Sequence, residues 1–334
     1  MNHTNKPKKK VLIHLGHTKC GSTTIQNFLK IYKQELAEAG YLVPSASKVN
    51  VEDQGITAYA GLARSLENYR KHHQLSDFEY NDFDSYFETK LLREINESDA
   101  HTVILSHEGL FPRDAKAMQK VVHLLSLFSD DINALVILRR QDRWAISSYN
   151  TRLTAHGTAN KNILVNDMGG VHGLNYYHKL KEWATALGEH KLTVFAFEDY
   201  KDILLPYMDY LNFTPKSYSP LKANPGMSAY SQEIIRMLNV QAKRTGIETS
   251  SQVALRKRLR RILPTGLPTL PSKDDIDAYM DNFIQSNLQL KNGFLDENSA
   301  FFSDIHEYKR DCNRPLLDEK EVEQWIKKIE TLND

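Results

Sequence analysis

Val11-Leu12-Ile13-His14-Leu15-Gly16-His17-Thr18-Lys19-Cys20-Gly21-Ser22-Thr23-Thr24 decides the reading of this chain. An apolar run of strand length, 11–15, enters a turn bounded by Gly16 and Gly21, and an amphipathic helical pattern follows. Such a turn aims several backbone N–H groups at one spot, and the helix dipole adds partial positive charge there, so the spot favours phosphate or sulfate. Lys19 adds a full charge, and Ser22, Thr23 and Thr24 add hydroxyl donors. The Gly-x4-Gly spacing is that of a P-loop, but Ser22 stands where the nucleotide-kinase pattern needs lysine. The lysine lies two residues before the second glycine instead. His14, His17 and Cys20, at spacing three, suggest a metal site. Spread over a strand end and a turn they are not expected to converge, and no fourth ligand is apparent, so no metal is expected.

Three further apolar runs of strand length lie at 102–106, 134–138 and 192–197. None alternates, which suits strands buried on both faces of a parallel sheet. Helical patterns run between them. Ile25, Phe28, Leu29, Tyr32 and Leu36 recur at helical spacing with Gly40 as a stop, and similar spacing covers 58–72, 83–95, 117–128, 144–153 and 176–187. Strands alternating with helices predict right-handed βαβ units. The expected fold class is therefore α/β, a P-loop-like doubly wound parallel sheet flanked by helices. After about residue 213, helical stretches follow one another at 228–244, 252–263, 274–290 and 318–329. The expectation is one domain over 1–334, with an α/β core at 10–213 and a helical C-terminal part at 214–334 packed on it.

The 334 residues carry 43 Lys and Arg against 42 Asp and Glu, a net charge of 43 − 42 = +1. With 41% hydrophobic and 25% charged residues the composition is that of a globular chain, not a disordered one. The near-neutral balance argues against a nucleic-acid partner. Two cysteines, Cys20 and Cys312, cannot build a disulfide framework and predict a reducing compartment. No apolar run approaches the ~18 residues that span a bilayer, and Val11-Leu12-Ile13 is too short for a signal-peptide hydrophobic region. A cytoplasmic location is therefore expected. Charge is unevenly spread: 77–99 holds eight acids and two bases, which reads as a solvated helix face. Residues 249–273 hold six bases and no acid, five of them within 256–261. That run reads either as a solvated face or as an anion-binding patch.

His14-Leu15-Gly16-His17-Thr18-Lys19-Cys20-Gly21-Ser22-Thr23-Thr24-Ile25-Gln26 resembles the first signature of the sulfotransferase family, whose donor is 3′-phosphoadenosine 5′-phosphosulfate (PAPS). The resemblance implies that Gly16, Thr18, Lys19, Cys20, Gly21, Ser22, Thr23 and Thr24 grip the 5′-phosphosulfate, with Lys19 on the sulfate and leaving phosphate. Thr18 and Cys20 stand where the bacterial type often has His and Thr, and Cys20 would make the loop sensitive to thiol reagents. Val136-Ile137-Leu138-Arg139-Arg140-Gln141-Asp142-Arg143-Trp144-Ala145-Ile146-Ser147-Ser148-Tyr149 is similar to the second signature, in which an arginine ends a strand and a serine follows eight positions later. Arg139 and Ser147 are thereby implied to hold the donor's 3′-phosphate, for which a guanidinium offers bidentate donors. Arg140 and Ser148 keep the same spacing, so the register is open by one residue; Arg139 is preferred because it ends the strand. Leu105-Ser106-His107-Glu108-Gly109-Leu110 resembles a strand-end segment of bacterial carbohydrate sulfotransferases. Asn224-Pro225-Gly226-Met227-Ser228 and Ser286-Asn287-Leu288-Gln289-Leu290 resemble their C-terminal helical region.

The activity this resemblance implies is in-line sulfuryl transfer from PAPS to a hydroxyl, or less favourably an amine, of a saccharide, lipid-linked sugar or cell-surface glycan. Its nucleotide product would be adenosine 3′,5′-bisphosphate (PAP). Glu108 is the implied general base, with His107 second because an imidazole needs less adjustment near neutral pH. Both are expected just past a strand's carboxyl end, where ligands bind in open α/β sheets. Trp144, Tyr149, Tyr176 and Tyr177 are candidate sugar-stacking residues, although aromatics at helical spacing are more commonly core. Two rival readings stand beside this one. A P-loop nucleotide kinase-like phosphotransferase needs Lys directly after the second glycine. An inactive sulfotransferase-like scaffold would bind a glycan or partner protein without turnover.

Overall fold

In the computed structural model the four apolar runs are strands of one parallel sheet: β1 (Lys10–Gly16), β3 (Thr102–Glu108), β4 (Asp131–Leu138) and β5 (Leu192–Ala196), joined by a two-residue β2 (Tyr41–Leu42). Their order is β2-β3-β1-β4-β5. The structure describes residues 8–165, 173–188, 191–220, 226–246, 250–303 and 308–331; Asn224 and Pro225 therefore lie outside the described residues. These residues form two units. One takes the described residues within Met1–Arg139, Met168–Leu221 and Gln285–Ser303; the other takes those within Arg140–Asp167, Lys222–Ile284 and Asp304–Asp334.

The first unit holds the sheet. From the central β1 the chain builds outward to β2, returns to β3, then crosses to β4 and β5 on the other side. β1 pairs with β3 from Lys10↔Thr102 to Gly16↔Glu108, and with β4 from Lys10↔Asp131 to His14↔Leu135. Val11, Leu15, Val103, Leu105, Ala134 and Ile137 are fully buried, which is why these strands show apolar runs and no alternation. Each fully buried Val, Leu or Ile side chain contributes roughly 1.5–3 kcal/mol relative to exposure. The helix Ser22–Ile31 packs against β3 and the helix Leu204–Leu211, and the helix Ala115–Ser126 packs against Tyr176–Leu187. His107 and Glu108 belong to β3 itself and do not lie beyond it, because pairing with β1 continues as far as Gly16.

Several predicted helices are broken. The pattern through Leu36 divides into Ser22–Ile31 and Lys33–Glu38 at Tyr32, whose φ of −98° and ψ of 18° leave the helical region. The stretch 58–72 becomes Gln54–Tyr59 and Ala63–His73, separated at Gly61 with φ 93°. The stretch 274–290 becomes Lys273–Asp281 and Ile284–Gly293. Here the Asn282 amide donates to the carbonyls of Ala278 and Tyr279, competing with continuation of the helical ladder.

The second unit is helical: Gln141–Thr154, Ala229–Thr245, Ser250–Ile262, Lys273–Asp281 and Glu319–Thr331. Tyr149, Leu153, Ile234, Ile235, Leu259 and Ile276 lie in its core. Trp144 and Tyr149 are buried here, and Tyr176 is buried in the first unit, so these aromatics fill cores and offer no face to a sugar. Tyr177 is half-buried, edge-on to Phe294. One buried charge is paired within this unit. The Arg140 guanidinium donates twice to Asp142, at 2.7 and 2.9 Å, and Tyr308 donates to the same carboxylate at 2.7 Å.

The basic run at 256–261 resolves residue by residue. Arg256 is buried and donates to the Thr154 carbonyl at 3.0 Å and to Asn239 Oδ1 at 3.3 Å, while Lys257, Arg258, Arg260 and Arg261 are exposed. One member is thus committed to the fold, which the spacing of charges did not disclose. Replacing Arg256 with Ala leaves buried acceptors unpaired and is expected to cost about 2–4 kcal/mol, read as a fall in the urea midpoint. Arg261→Ala is expected to leave that midpoint unchanged.

Candidate active site

The site is built at the carboxyl edge of the first unit's sheet, where β1, β3, β4 and β5 end. Gly16 closes β1 against β3. Its carbonyl accepts the N–H of Gly109 at 2.8 Å and of Phe111 at 3.4 Å. A Cβ there would lie 2.6 Å from the His107 carbonyl and 2.9 Å from Ser22 Oγ, so only glycine permits the approach. The chain then turns. Lys19 takes a left-handed φ of 64° and Gly21 a φ of 89°, and the helix Ser22–Ile31 begins without a side-chain cap and without an acid in its first turn. An uncapped helix start with no acidic side chain leaves its partial positive charge for a ligand anion.

Within the loop the hydroxyls and rings differ in burial. Ser22 is buried and donates to the His17 carbonyl at 3.2 Å, while Thr23 is exposed and Thr18 and Thr24 are half-buried. His17 is buried edge-on between the rings of Phe111 and Tyr176, at 5.5 and 5.6 Å. Its Nδ1 lies 3.3 Å from Cys20 Sγ, so these two side chains do meet, contrary to expectation. His14 turns elsewhere, with Nδ1 2.8 Å from Ser106 Oγ. Among the described residues no group of three or more His, Cys, Asp or Glu could hold a metal ion. Cys20 is fully buried and donates to the Thr18 carbonyl. Burial pushes its thiol far above the usual range, opposed by the charge of Arg139 and reinforced by Glu198 and Glu108. The expected sensitivity of this loop to thiol reagents is overturned: a buried, protonated thiol is a poor nucleophile.

Arg139 directly follows β4 and lies across the loop. Its Nη1 donates to the Lys19 carbonyl at 3.3 Å, its guanidinium stands 4.9 Å over the Phe197 ring, and Tyr176 donates to its carbonyl at 2.8 Å. Its Nε is buried without a hydrogen-bond partner among the described residues, which fits a guanidinium whose remaining face awaits an oxyanion. Arg140 and Ser148, the alternative register, are both buried in the second unit. Arg140 is held by Asp142, and Ser148 donates to the Ala145 carbonyl at 3.0 Å. Ser147, on the helix Gln141–Thr154 of that unit, is half-buried.

Glu108 closes β3 and is half-buried. Burial pushes its carboxyl above the usual range, Lys19 opposes that rise, and Glu52 adds to it. Glu52 carried no motif, yet the fold delivers it here. The following residue, Asp53, donates its N–H to the Ser106 carbonyl at 3.2 Å and accepts the Ser106 N–H, pinning the turn onto β3. Gln54 then donates to Glu52 at 2.9 Å, and Lys48 pairs with the buried Asp53 at 2.7 Å. His107 is buried, with Nε2 3.3 Å from Thr57 Oγ1 and 3.9 Å from Glu52. Burial, then the charges of Lys48 and Arg113, draw its pKa from 6.5 to about 3. No sequence signal marks Glu52 or Glu198 as site residues: Glu52 arrives on the turn that Asp53 pins to Ser106, and Glu198 on the short turn Phe197–Asp199 that follows β5.

The site has two checkable consequences. Burial also draws His14 from 6.5 to about 3, so between those limits the unfolded chain binds protons that the folded chain does not. Stability is then complete above about pH 6.5 and falls as pH drops, by up to about 1.4 kcal/mol per pH unit for each histidine. His107→Gln should flatten that slope in urea titrations between pH 6.5 and 4. A disulfide-exchange reagent should titrate the exposed Cys312 alone in the native protein and both thiols after denaturation.

Among the described residues no helix is long and apolar enough to cross a membrane. No family model matches the chain. No curated protein matches it. Among solved structures it aligns with a sulfotransferase from Alicyclobacillus acidocaldarius over 74% of this chain and 98% of that one, at 13% identity and a TM-score of 0.38. A likeness so distant carries nothing about chemistry, which rests on the residues of the site itself.

Proposed function

We propose that the chain is a sulfotransferase that moves the sulfuryl group of PAPS to a hydroxyl of a saccharide or glycolipid-type acceptor. The observation that carries this reading is the lysine loop at the end of the central strand, crossed by an arginine with an unpartnered buried Nε. Lys19 and the uncapped helix start supply positive charge, and Arg139 supplies a planar donor set suited to a phosphate. The kinase alternative lacks support at the residue after Gly21, which is the inward-turned Ser22.

PAPS brings an activated sulfuryl group. The loop 16–21 holds its phosphosulfate, and Arg139 takes the 3′-phosphate. As the acceptor oxygen bonds to sulfur, the bridging sulfur–oxygen bond breaks and its electron pair stays on the phosphate oxygen. Lys19 neutralises charge gathering there. The acceptor's proton passes to Glu108, whose carboxylate burial makes more basic than an exposed one. The burial and low pKa of His107 support Glu108 over it in that role.

PAP should raise the melting temperature, corresponding to about 2.7 kcal/mol at one hundred times its Kd. A response to Mg-ATP alone would overturn the reading. With ³⁵S-labelled donor and an acceptor panel, Lys19→Ala and Glu108→Gln should each lower transfer by roughly 10²-fold or more without lowering stability. Full transfer by either variant would remove that residue's assigned role.

A further inference from the structure

Residues 109–113, which follow β3, are fastened to the lysine loop and to the helix Tyr176–Leu187. Gly109 and Phe111 donate to Gly16, Trp183 donates to the Phe111 carbonyl at 3.1 Å, and Lys179 donates to the Arg113 carbonyl at 3.1 Å. The backbone of Arg113 is therefore held in place at the same edge of the sheet as Lys19 and Glu108.

Its side chain is less well served. Arg113 is half-buried, its Nε is buried with no hydrogen-bond partner, and among the described residues its guanidinium has no hydrogen bond or ion pair. Its charge is felt at His107, where Lys48 also acts. Lys48, however, is answered by Asp53, and nothing comparable answers Arg113. A buried donor without an acceptor is unfavourable, and such groups persist where a ligand completes them.

Strand order tells which ligand. Lys19 follows β1 and Arg139 follows β4, so the cations assigned to the donor lie on the β1–β4 side of the sheet. Arg113 follows β3, on the other side of β1, beyond the assigned base Glu108. We propose that Arg113 binds an oxyanion carried by the acceptor, so that the acceptor is an acidic saccharide bearing a carboxylate or a sulfate beside the reacting hydroxyl. This rests on the sulfotransferase reading above. Arg113 acts as a specificity-determining group: it orients the acceptor through a charge-assisted fork and discriminates against neutral sugars.

The test uses the full chain saturated with PAP, titrated with glucuronate or with glucose and followed by thermal shift. Glucuronate should stabilise the wild type at concentrations where glucose does not. Arg113→Gln should weaken the glucuronate response at least tenfold, Arg113→Lys should restore part of it, and PAP affinity should be unchanged in both. Equal responses to the two sugars, or an unchanged glucuronate response in Arg113→Gln, would overturn the proposal. Weakened PAP binding in Arg113→Gln would overturn it too, by placing the residue on the donor. Failure of PAP to bind the wild type would instead sink the sulfotransferase reading. The glucuronate titration of unloaded wild type and Arg113→Gln would then still decide whether Arg113 holds an acidic sugar.

Discussion

The close approach of backbone to backbone at Gly16 is the constraint on which the site depends. β1 stays in register with β3 up to Gly16↔Glu108, and the chain must then turn at once into the lysine loop. The His107 carbonyl and Ser22 Oγ occupy the space where a side chain would stand. The Gly16 carbonyl meanwhile holds the N–H groups of Gly109 and Phe111. Two loops from adjacent strands are thus tied at one residue, which keeps Lys19 and Glu108 close enough for the lysine to oppose the carboxyl's rise in pKa. A methyl group at this position would push β3 away from β1 where the two loops need to meet.

Electrostatics at this edge follows from burial as much as from the charges themselves. Desolvation lifts Glu108, holds Cys20 protonated and keeps His14 and His107 neutral. Removing water also strengthens what Lys19 and Glu52 do to Glu108 and what Arg139 and Glu198 do to Cys20. The net charge of +1 conceals all of this, because it sums over groups that water screens and groups that it does not. Arg256 makes the same point from the second unit: it belongs to a conspicuous basic run, yet it serves as an internal hydrogen-bond donor.

The sheet was legible because β1, β3 and the second half of β4 are buried on both faces and must be continuously apolar, while β5 is apolar although only half-buried. Such runs leave a mark in the chain itself. β2 left none: two residues are too short for a pattern, and their place is set by pairing with Thr102 and Val103. Helix breaks at Tyr32 and Asn282 were hidden because apolar spacing continued through them. Within the candidate site, Lys19 was singled out by loop spacing and Arg139 by resemblance to a family signature. Glu52 and Arg113 were not, since one arrives on a turn pinned by Asp53 to Ser106 and the other on a loop pinned to Gly16.

By itself the sequence determined which stretches form the four long strands, which loop carries glycine and lysine together, and that two arginines follow β4, because these depend on neighbouring residues and on burial along one strand. Tertiary structure alone decided which hydroxyl turns inward, that Cys20 is buried, that His107 is neutral, and that Glu52 and Arg113 stand near Glu108 and His107. Those outcomes depend on distances between residues far apart in the chain, and on how much water remains between them.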